Sequence, residues 1–113
     1  MTDFRLVELA QLAPDLRLTA EPADLEYYGR DWTRRWPPAP LAIALPSSLA
    51  DVQAIARWAS NHRVCLVPSG GRTGLAGGAV AANVALVVGF ERMNRVIGFD
   101  AIDRTLAVPP GVA

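Results

Sequence analysis

The stretch VPSGGRTGLAGGAVAAN, residues 67–83, places five glycines within nine positions, directly after a short apolar run. Glycine permits positive φ and lets a ligand reach the main chain without meeting a Cβ, at an entropic cost of about 0.5–1 kcal/mol per residue relative to alanine. Successive main-chain N–H groups in such a loop can form a concavity that binds phosphate or diphosphate. The stretch therefore predicts either a phosphate-binding loop or a series of tight turns.

Two familiar glycine-rich phosphate motifs are excluded by spacing and composition. No two of these glycines lie two positions apart, so the G-x-G-x-x-G motif of dinucleotide-binding folds is absent. A Walker-type loop needs a Gly-Lys pair, and the chain contains no lysine. The residues that follow, AVAAN, lead towards a strand and not towards a long helix. A bound diphosphate would therefore be held by the loop itself.

The segment before the glycines predicts a strand, a helix and a second strand. The apolar run PLAIALP, residues 40–46, is bounded by prolines as a short strand would be. Ser48 and Asp51 form a capping box for a helix that should end near Asn61. The run RVCLVP, residues 63–68, is again typical of a strand. A crossover helix of this length joins parallel strands, so we expect a parallel βαβ unit.

The segment after the glycines predicts three further strands. VALVVGF (84–90), RVIGFD (95–100) and TLAVPP (105–110) are three strand candidates separated by short turns. The sequence therefore indicates an α/β or α+β fold.

The N-terminal region differs in pattern from the segments that follow it. FRLVELAQLA, residues 4–13, predicts an amphipathic helix, with Thr2 as its cap and Pro14 as its stop. LEYYGRDWTRRWPPAP, residues 25–40, has no period and is interpreted as an irregular lead-in. We therefore expect a helix and lead-in over residues 1–39 and a βαβ-containing domain over residues 40–113.

Composition excludes several classes of protein. The 113 residues suffice for about one domain, and eleven arginines balance eleven acidic groups, so no nucleic-acid partner is expected. The single Cys65 lies in an apolar run and is expected to be buried, and one cysteine with one histidine excludes a Cys/His metal site. The absence of a signal-peptide pattern and of any apolar run near the length of about 18 residues predicts a cytoplasmic protein without a membrane span. The alanine and proline content without lysine indicates a bacterial source.

Four sequence blocks, in this order, resemble the FAD-binding half of the PCMH-type flavoproteins. They are PSSLADVQAIARWASNH (46–62), PSGGRTGLAGGAV (68–80), ERMNRVIGFD (91–100) and VPPGV (108–112). Within that superfamily the chain resembles the D-2-hydroxyacid dehydrogenase branch, which includes D-2-hydroxyglutarate dehydrogenase, D-lactate dehydrogenase and the glycolate oxidase FAD subunit. YYGRDWTRRW (27–36) is similar to the lead-in of that branch.

The resemblance implies a binding site for the diphosphate of FAD. It implies that main-chain N–H groups wrap the diphosphate and that the contacting residues are Pro68, Ser69, Gly70, Gly71, Arg72, Thr73, Gly74, Leu75, Gly77 and Gly78. It also places Pro46 near the cofactor and makes Met93 and Asn94 supports of the cofactor floor. Relatives that bind FAD covalently carry histidine at the position of Arg72, so the expected FAD is non-covalent.

The activity implied by the resemblance is oxidation of a D-2-hydroxy acid by hydride transfer to FAD. In such flavoproteins the substrate contacts lie beyond the matched blocks, so we assign no catalytic residue and no metal ligand. The chain is expected to be an N-terminal fragment that binds FAD weakly or not at all and is not catalytic alone. Two other interpretations stay open: a small non-catalytic nucleotide- or anion-binding module, and a structural domain whose glycines only make turns.

Other polar and aromatic residues receive structural interpretations. Asp100 and Asp103 are interpreted as turn formers between two strands. Arg34 and Arg35 are interpreted as a solvated pair, and His62 as a solvated or capping residue at a helix end. The aromatic residues of the lead-in are expected to pack on a surface that the sequence does not identify.

Overall fold

Helices and strands alternate along the first two thirds of the chain. The strands of this part belong to one main sheet, which is covered on both faces. The computed structural model describes residues 3–81 and 84–112. The helices are α1 (Phe4–Leu12), α2 (Pro22–Tyr28) and α3 (Leu49–His62), and the strands are β1 (Arg17–Thr19), β2 (Ala42–Leu45), β3 (Cys65–Ser69), β4 (Ala85–Gly89), β5 (Gly98–Asp100) and β6 (Thr105–Ala107). No helix within the described ranges is long and apolar enough to cross a membrane.

The main sheet has four strands in the order β1-β2-β4-β3. β2, β3 and β4 are mutually parallel where they pair, and β1 is antiparallel to β2. The predicted parallel βαβ arrangement is confirmed, but β4 lies between the two strands that α3 connects. β4 is the most continuously apolar of the three parallel strands and is buried at all five positions, which suits the centre of the sheet.

Alternate residues of β2 and β4 point into two separate cores. On one face, side chains of α1 and α3 pack against the sheet; this core contains Leu6, Leu9, Ile55, Trp58, Ala59, Ala42, Ala44, Leu86 and Val88. On the other face, Tyr28 of α2 and Ala81 pack against Ile43, Leu45 and Val87. Burial of both faces explains why the central strands are apolar without alternation.

The N-termini of α1 and α3 are capped by polar side chains. The Asp3 carboxylate accepts a hydrogen bond from Arg5 N and caps α1, whereas the predicted cap Thr2 lies outside the described residues. The Ser48 hydroxyl accepts from Asp51 N at 3.2 Å and starts α3 as predicted. Trp58 Nε1 donates to Arg5 O at 2.7 Å and joins the two helices.

Three features differ from the sequence-based expectations. β1 was not predicted, because a three-residue strand has no detectable period. The irregular lead-in predicted from residue 25 is wrong at its start, because α2 extends to Tyr28, and this short helix has too few turns to show a period. α2 nevertheless carries local signals, namely Pro22 at its start and Gly29 at its end. Cys65 is exposed and not buried, because β3 is an edge strand of the sheet.

β5 and β6 form a separate two-stranded antiparallel sheet, here called the hairpin. Asp100 Oδ1 accepts hydrogen bonds from the main-chain N–H groups of Ile102 at 2.9 Å and Asp103 at 3.1 Å. These bonds close the turn between the strands and confirm the turn-forming role predicted for Asp100. The hairpin presents exposed apolar side chains, among them Phe99 at 70% and Ile102 at 93% exposure.

Candidate functional site

The carboxyl ends of the three parallel strands meet at one edge of the sheet. β2 ends at Leu45, β3 at Ser69 and β4 at Gly89, and the register pairs Ser69 with Gly89. In open α/β sheets this edge is the usual place for a ligand. The glycine-rich loop, residues 70–81, leaves β3 at this edge, so the topology brings the loop to a common binding position.

Most glycines of the loop have no structural reason to be glycine. Gly77 alone among glycines of residues 3–81 and 84–112 has positive φ, at 84°, and a Cβ there would lie 3.2 Å from the Trp36 ring. A Cβ on Gly74 or Gly78 would meet nothing within 4 Å. Added Cβ atoms on Gly70 and Gly71 would find only ordinary contacts, at 3.6 and 3.9 Å. The chain itself would accept alanine at these four positions, which leaves room for a ligand against the bare main chain.

The main-chain N–H groups of this loop are available to a ligand. None of the N–H groups from Gly70 to Ala76 donates a hydrogen bond to another residue in the described part of the chain. Thr73 and Leu75 are exposed, whereas Ser69 at the end of β3 is fully buried. An anion placed against the loop could accept several N–H bonds at once.

Arg72 points back towards α2. It lies in the left-handed region with φ 57°, a conformation that costs a non-glycine residue about 1 kcal/mol. Its guanidinium donates to Ser69 Oγ at 3.2 Å, to Gly70 O at 3.0 Å and to Tyr27 Oη at 3.1 Å. The guanidinium carbon also lies 4.7 Å from the centre of the Tyr27 ring and 5.0 Å from that of Tyr28. Arg72 therefore fastens the loop to α2.

Sequence blocks that are distant in the chain meet behind the loop. Phe90 N donates to Ser69 O at 3.1 Å, and Gly111 N donates to Met93 O at 3.1 Å. A Cβ on Gly111 would collide with the carbonyl oxygens of Phe90 and Met93, so this position requires glycine. The third and fourth blocks of the family resemblance are thus in contact, and Phe90, which directly precedes the third block, is hydrogen-bonded to Ser69 of the second.

A cleft of about 520 Å³ opens at this edge. It is lined by Ser47, Arg92, Met93, Asn94, Arg95, Ile97 and Pro109. Arg92 Nη1 donates to Leu45 O at 3.2 Å, which ties the cleft to the end of β2. Two guanidinium groups beside an open cleft suit a phosphate-bearing ligand. Met93 and Asn94, predicted as the cofactor floor, lie in this lining.

A second, smaller cleft of about 160 Å³ separates the lead-in from the loop. Its lining includes Arg30, Asp31, Arg34 and Gly71. Asp31 is buried, and its Oδ1 accepts from the Thr33 hydroxyl at 2.6 Å and from Thr33 N at 3.0 Å. The Thr33 hydroxyl, and to a smaller extent main-chain N–H groups that include that of Gly77, lower the pKa of Asp31 below its ordinary value of 3.8. The hydrogen bonds of the carboxylate are both to Thr33, so Asp31 organises the turn of the lead-in beside the loop.

Aromatic side chains of the lead-in lie beside the loop. The sequence did not identify the loop as their packing partner. Trp36 packs against Gly77, and Tyr27 contacts Arg72. Burial, followed by interaction with Glu91, raises the pKa of Tyr28 to about 12, so this phenol stays neutral against the sheet. The sequence showed only that aromatic residues are dense at 27–36. Because their spacing has no period, it could not reveal that they pack against the loop and the sheet.

The histidine and the two neighbouring arginines considered in the sequence analysis are not part of the loop itself. His62 ends α3 as predicted, and its imidazole contacts Glu8 and Phe4 of α1, so it joins two helices. Arg34 and Arg35 are exposed, and Arg35 lies 5.6 Å from the centre of the Trp36 ring. Arg34 also lines the smaller cleft with Gly71, so it lies beside the loop.

Comparison with known proteins agrees with this geometry. Residues 40–113 match the family described as FAD binding domain. The chain is 62% identical over 112 residues to D-2-hydroxyglutarate dehydrogenase from Xanthomonas citri pv. viticola, covering 99% of this chain and 24% of that protein. It is 50% identical over 113 residues to the protein of the same name from Stutzerimonas stutzeri, again covering 99% and 24%. The chain thus spans about a quarter of the length of these relatives.

A solved structure shares the fold. The carbohydrate oxidase from Microdochium nivale superposes with a TM-score of 0.79 at 24% identity, covering 96% of this chain and 23% of that one. The expected α/β fold is confirmed. The family match over residues 40–113 places this chain in the FAD-binding domain family, with FAD as its cofactor.

Proposed function

We propose that residues 68–78 hold the diphosphate of FAD, without a covalent link, through main-chain N–H groups. One observation carries the proposal: Gly70, Gly71, Gly74 and Gly78 lack side chains although neither their φ angles nor their neighbours require it. A domain whose glycines only make turns would place them at positive φ, as at Gly77. Ser69, Thr73 and Leu75 border the same main chain, and Arg72 keeps it in position.

FAD is favoured over a small anion by the size of the surrounding surface. A cleft of about 520 Å³, lined by residues outside the loop, opens at the same edge of the sheet and would hold a part of FAD beyond the diphosphate. Arg92 and Arg95 add positive charge to that cleft. Met93 and Asn94 are proposed to support the cofactor there, as the resemblance implies. The division into an N-terminal helix and lead-in, 1–39, and the N-terminal part of a cofactor domain, 40–113, is part of this proposal, and the start of the family match at residue 40 supports it.

For the whole protein to which this chain corresponds, we propose oxidation of a D-2-hydroxy acid. The support is the identity to two bacterial proteins named D-2-hydroxyglutarate dehydrogenase. FAD, when bound, accepts the hydride, and this chain supplies binding and orientation. A bacterial and cytoplasmic setting is part of the same proposal, as is the absence of a nucleic-acid partner. We expect the chain alone to bind FAD and not to oxidise the hydroxy acid.

Titration of the purified chain with FAD, followed by flavin fluorescence, tests the binding site. Gly74→Glu places bulk and negative charge against the bare main chain and should weaken binding by about tenfold or more. Ser60→Glu adds the same charge to an exposed position near the far end of α3 and should bind like the wild type. Equal affinity of Gly74→Glu and Ser60→Glu would contradict the proposed site.

A further inference from the structure

The glycine-rich loop is attached to the rest of the molecule chiefly through the lead-in segment. Near its start, Arg72 Nη2 donates to Tyr27 Oη at 3.1 Å. At its end, Ala81 N donates to Gly29 O at 2.9 Å, and Ala39 N donates to Ala81 O at 2.7 Å. Between these points the Trp36 ring covers Gly77. The loop is therefore bordered along its length by residues that precede the matched family region, which begins at residue 40.

The Arg72 contact is the most specific of these attachments. One guanidinium nitrogen donates within the loop, to Ser69 Oγ and Gly70 O, while the other reaches the Tyr27 hydroxyl. The Tyr27 ring lies under the same guanidinium, 4.7 Å from its carbon, and so adds a cation–π interaction. The left-handed backbone of Arg72 needs such external contacts in order to persist.

We propose that Tyr27 and Arg72 form a latch that positions the glycine-rich loop for its ligand. Both are positioning residues: they fix the loop and need not touch the diphosphate. The rest of the loop is weakly packed, since Leu75 is 69% exposed and Gly74 and Gly78 have no neighbours on the Cβ side. A loop fixed in advance loses less entropy when it binds. The consequence for FAD rests on the function proposed above, whereas the latch itself is a property of the free chain.

The latch is tested in the free chain by nitrogen NMR relaxation, which measures the mobility of each main-chain N–H group. Tyr27→Leu removes the hydroxyl and the ring, and the order parameters of residues 70–78 should fall towards the flexible range below about 0.6, while those of β4 stay near the rigid value of about 0.85. Tyr27→Phe keeps the ring and loses one hydrogen bond, so its order parameters in the loop should fall by less. Phe4→Leu, a matched change at an exposed aromatic of α1, should leave the order parameters of the loop as they are. Unchanged loop order parameters in both Tyr27 variants would overturn the latch.

FAD affinity supplies the second readout. Tyr27→Leu should weaken FAD binding by about tenfold, and the effects of Tyr27→Phe and Arg72→Lys should not add, because each breaks the same contact. A more mobile loop without any loss of FAD affinity would overturn the positioning role. If the wild-type chain bound no FAD, the proposed function would fail, and the relaxation data would still decide whether the latch exists. Should Tyr27→Leu not fold, Tyr27→Phe carries both measurements.

Discussion

At the scale of single residues, neighbouring glycines in the loop have opposite reasons to be glycine. Gly77 has positive φ and lies against Trp36, so the protein fold requires it. Gly78 has open space on its Cβ side and no positive φ, so the fold itself does not require glycine there. Under the proposed function, the bound diphosphate is the reason for this glycine.

The contrast predicts opposite results for two alanine substitutions. Gly77→Ala should lower the free energy of unfolding by about 1–2 kcal/mol, because alanine is strained at this φ. Gly78→Ala should leave stability unchanged or raise it by up to about 1 kcal/mol, while it weakens FAD binding by about tenfold. Urea unfolding and FAD titration of both variants measure this. A Gly78→Ala variant that binds FAD like the wild type would count against the site.

Asp31 predicts a dependence of stability on pH. Its pKa is lowered in the folded chain, first by the Thr33 hydroxyl, so the folded carboxylate binds a proton less readily than the unfolded one. This stabilisation is present above the ordinary value of 3.8 and is lost as the pH falls through the lower folded value. The difference in unfolding free energy between wild type and Asp31→Asn should therefore shrink between about pH 5 and about pH 3. A difference that stays constant over this range would show that the charge of Asp31 has no such effect.

At the scale of elements, periodic segments were predictable and aperiodic ones were not. α1, α3 and the five strands β2 to β6 follow from apolar patterns and capping residues, because those patterns describe local contacts. The glycine loop could be singled out as a candidate site, since its composition is local, and its role in binding stays a prediction. The attachment of Arg72 to Tyr27 spans 45 positions and depends on how α2 packs, so no local pattern could reveal it. The central position of β4 is a similar case, because adjacency in a sheet is a tertiary property.

The cap of α3 gives a prediction at this scale. Ser48→Ala removes the acceptor for Asp51 N and should lower the unfolding free energy by about 1 kcal/mol. Ser60→Ala, on an exposed position of the same helix, should change it by less than about 0.5 kcal/mol. Chemical denaturation of the two variants compares them directly. Equal effects would mean that the Ser48 hydroxyl does not stabilise the start of the helix.

At the scale of the whole molecule, the hairpin is the least covered part of the described chain. Phe99 and Leu106 are paired across its two strands, and 70% and 56% of their surfaces are exposed. Exposed apolar side chains on a short, open sheet favour association.

The exposed hairpin therefore predicts self-association of the purified chain. Replacing the pair by charges, Phe99→Glu with Leu106→Lys, should keep the strands paired and reduce both association and binding of an apolar dye severalfold. Ala56→Glu, an exposed change on α3, should alter neither. Sedimentation equilibrium and dye fluorescence test this. Association that persists in the double variant would place the contact elsewhere.

The central claim, that the loop holds the diphosphate of FAD, is tested most directly by amide hydrogen exchange of the chain with three ligands. FAD and ADP both carry a diphosphate, whereas riboflavin carries the flavin ring without it. We predict that FAD and ADP slow exchange of the N–H groups between Gly70 and Gly78 and that riboflavin does not. Protection of this loop by riboflavin as strong as by FAD, or protection by FAD only outside the loop, would contradict the account.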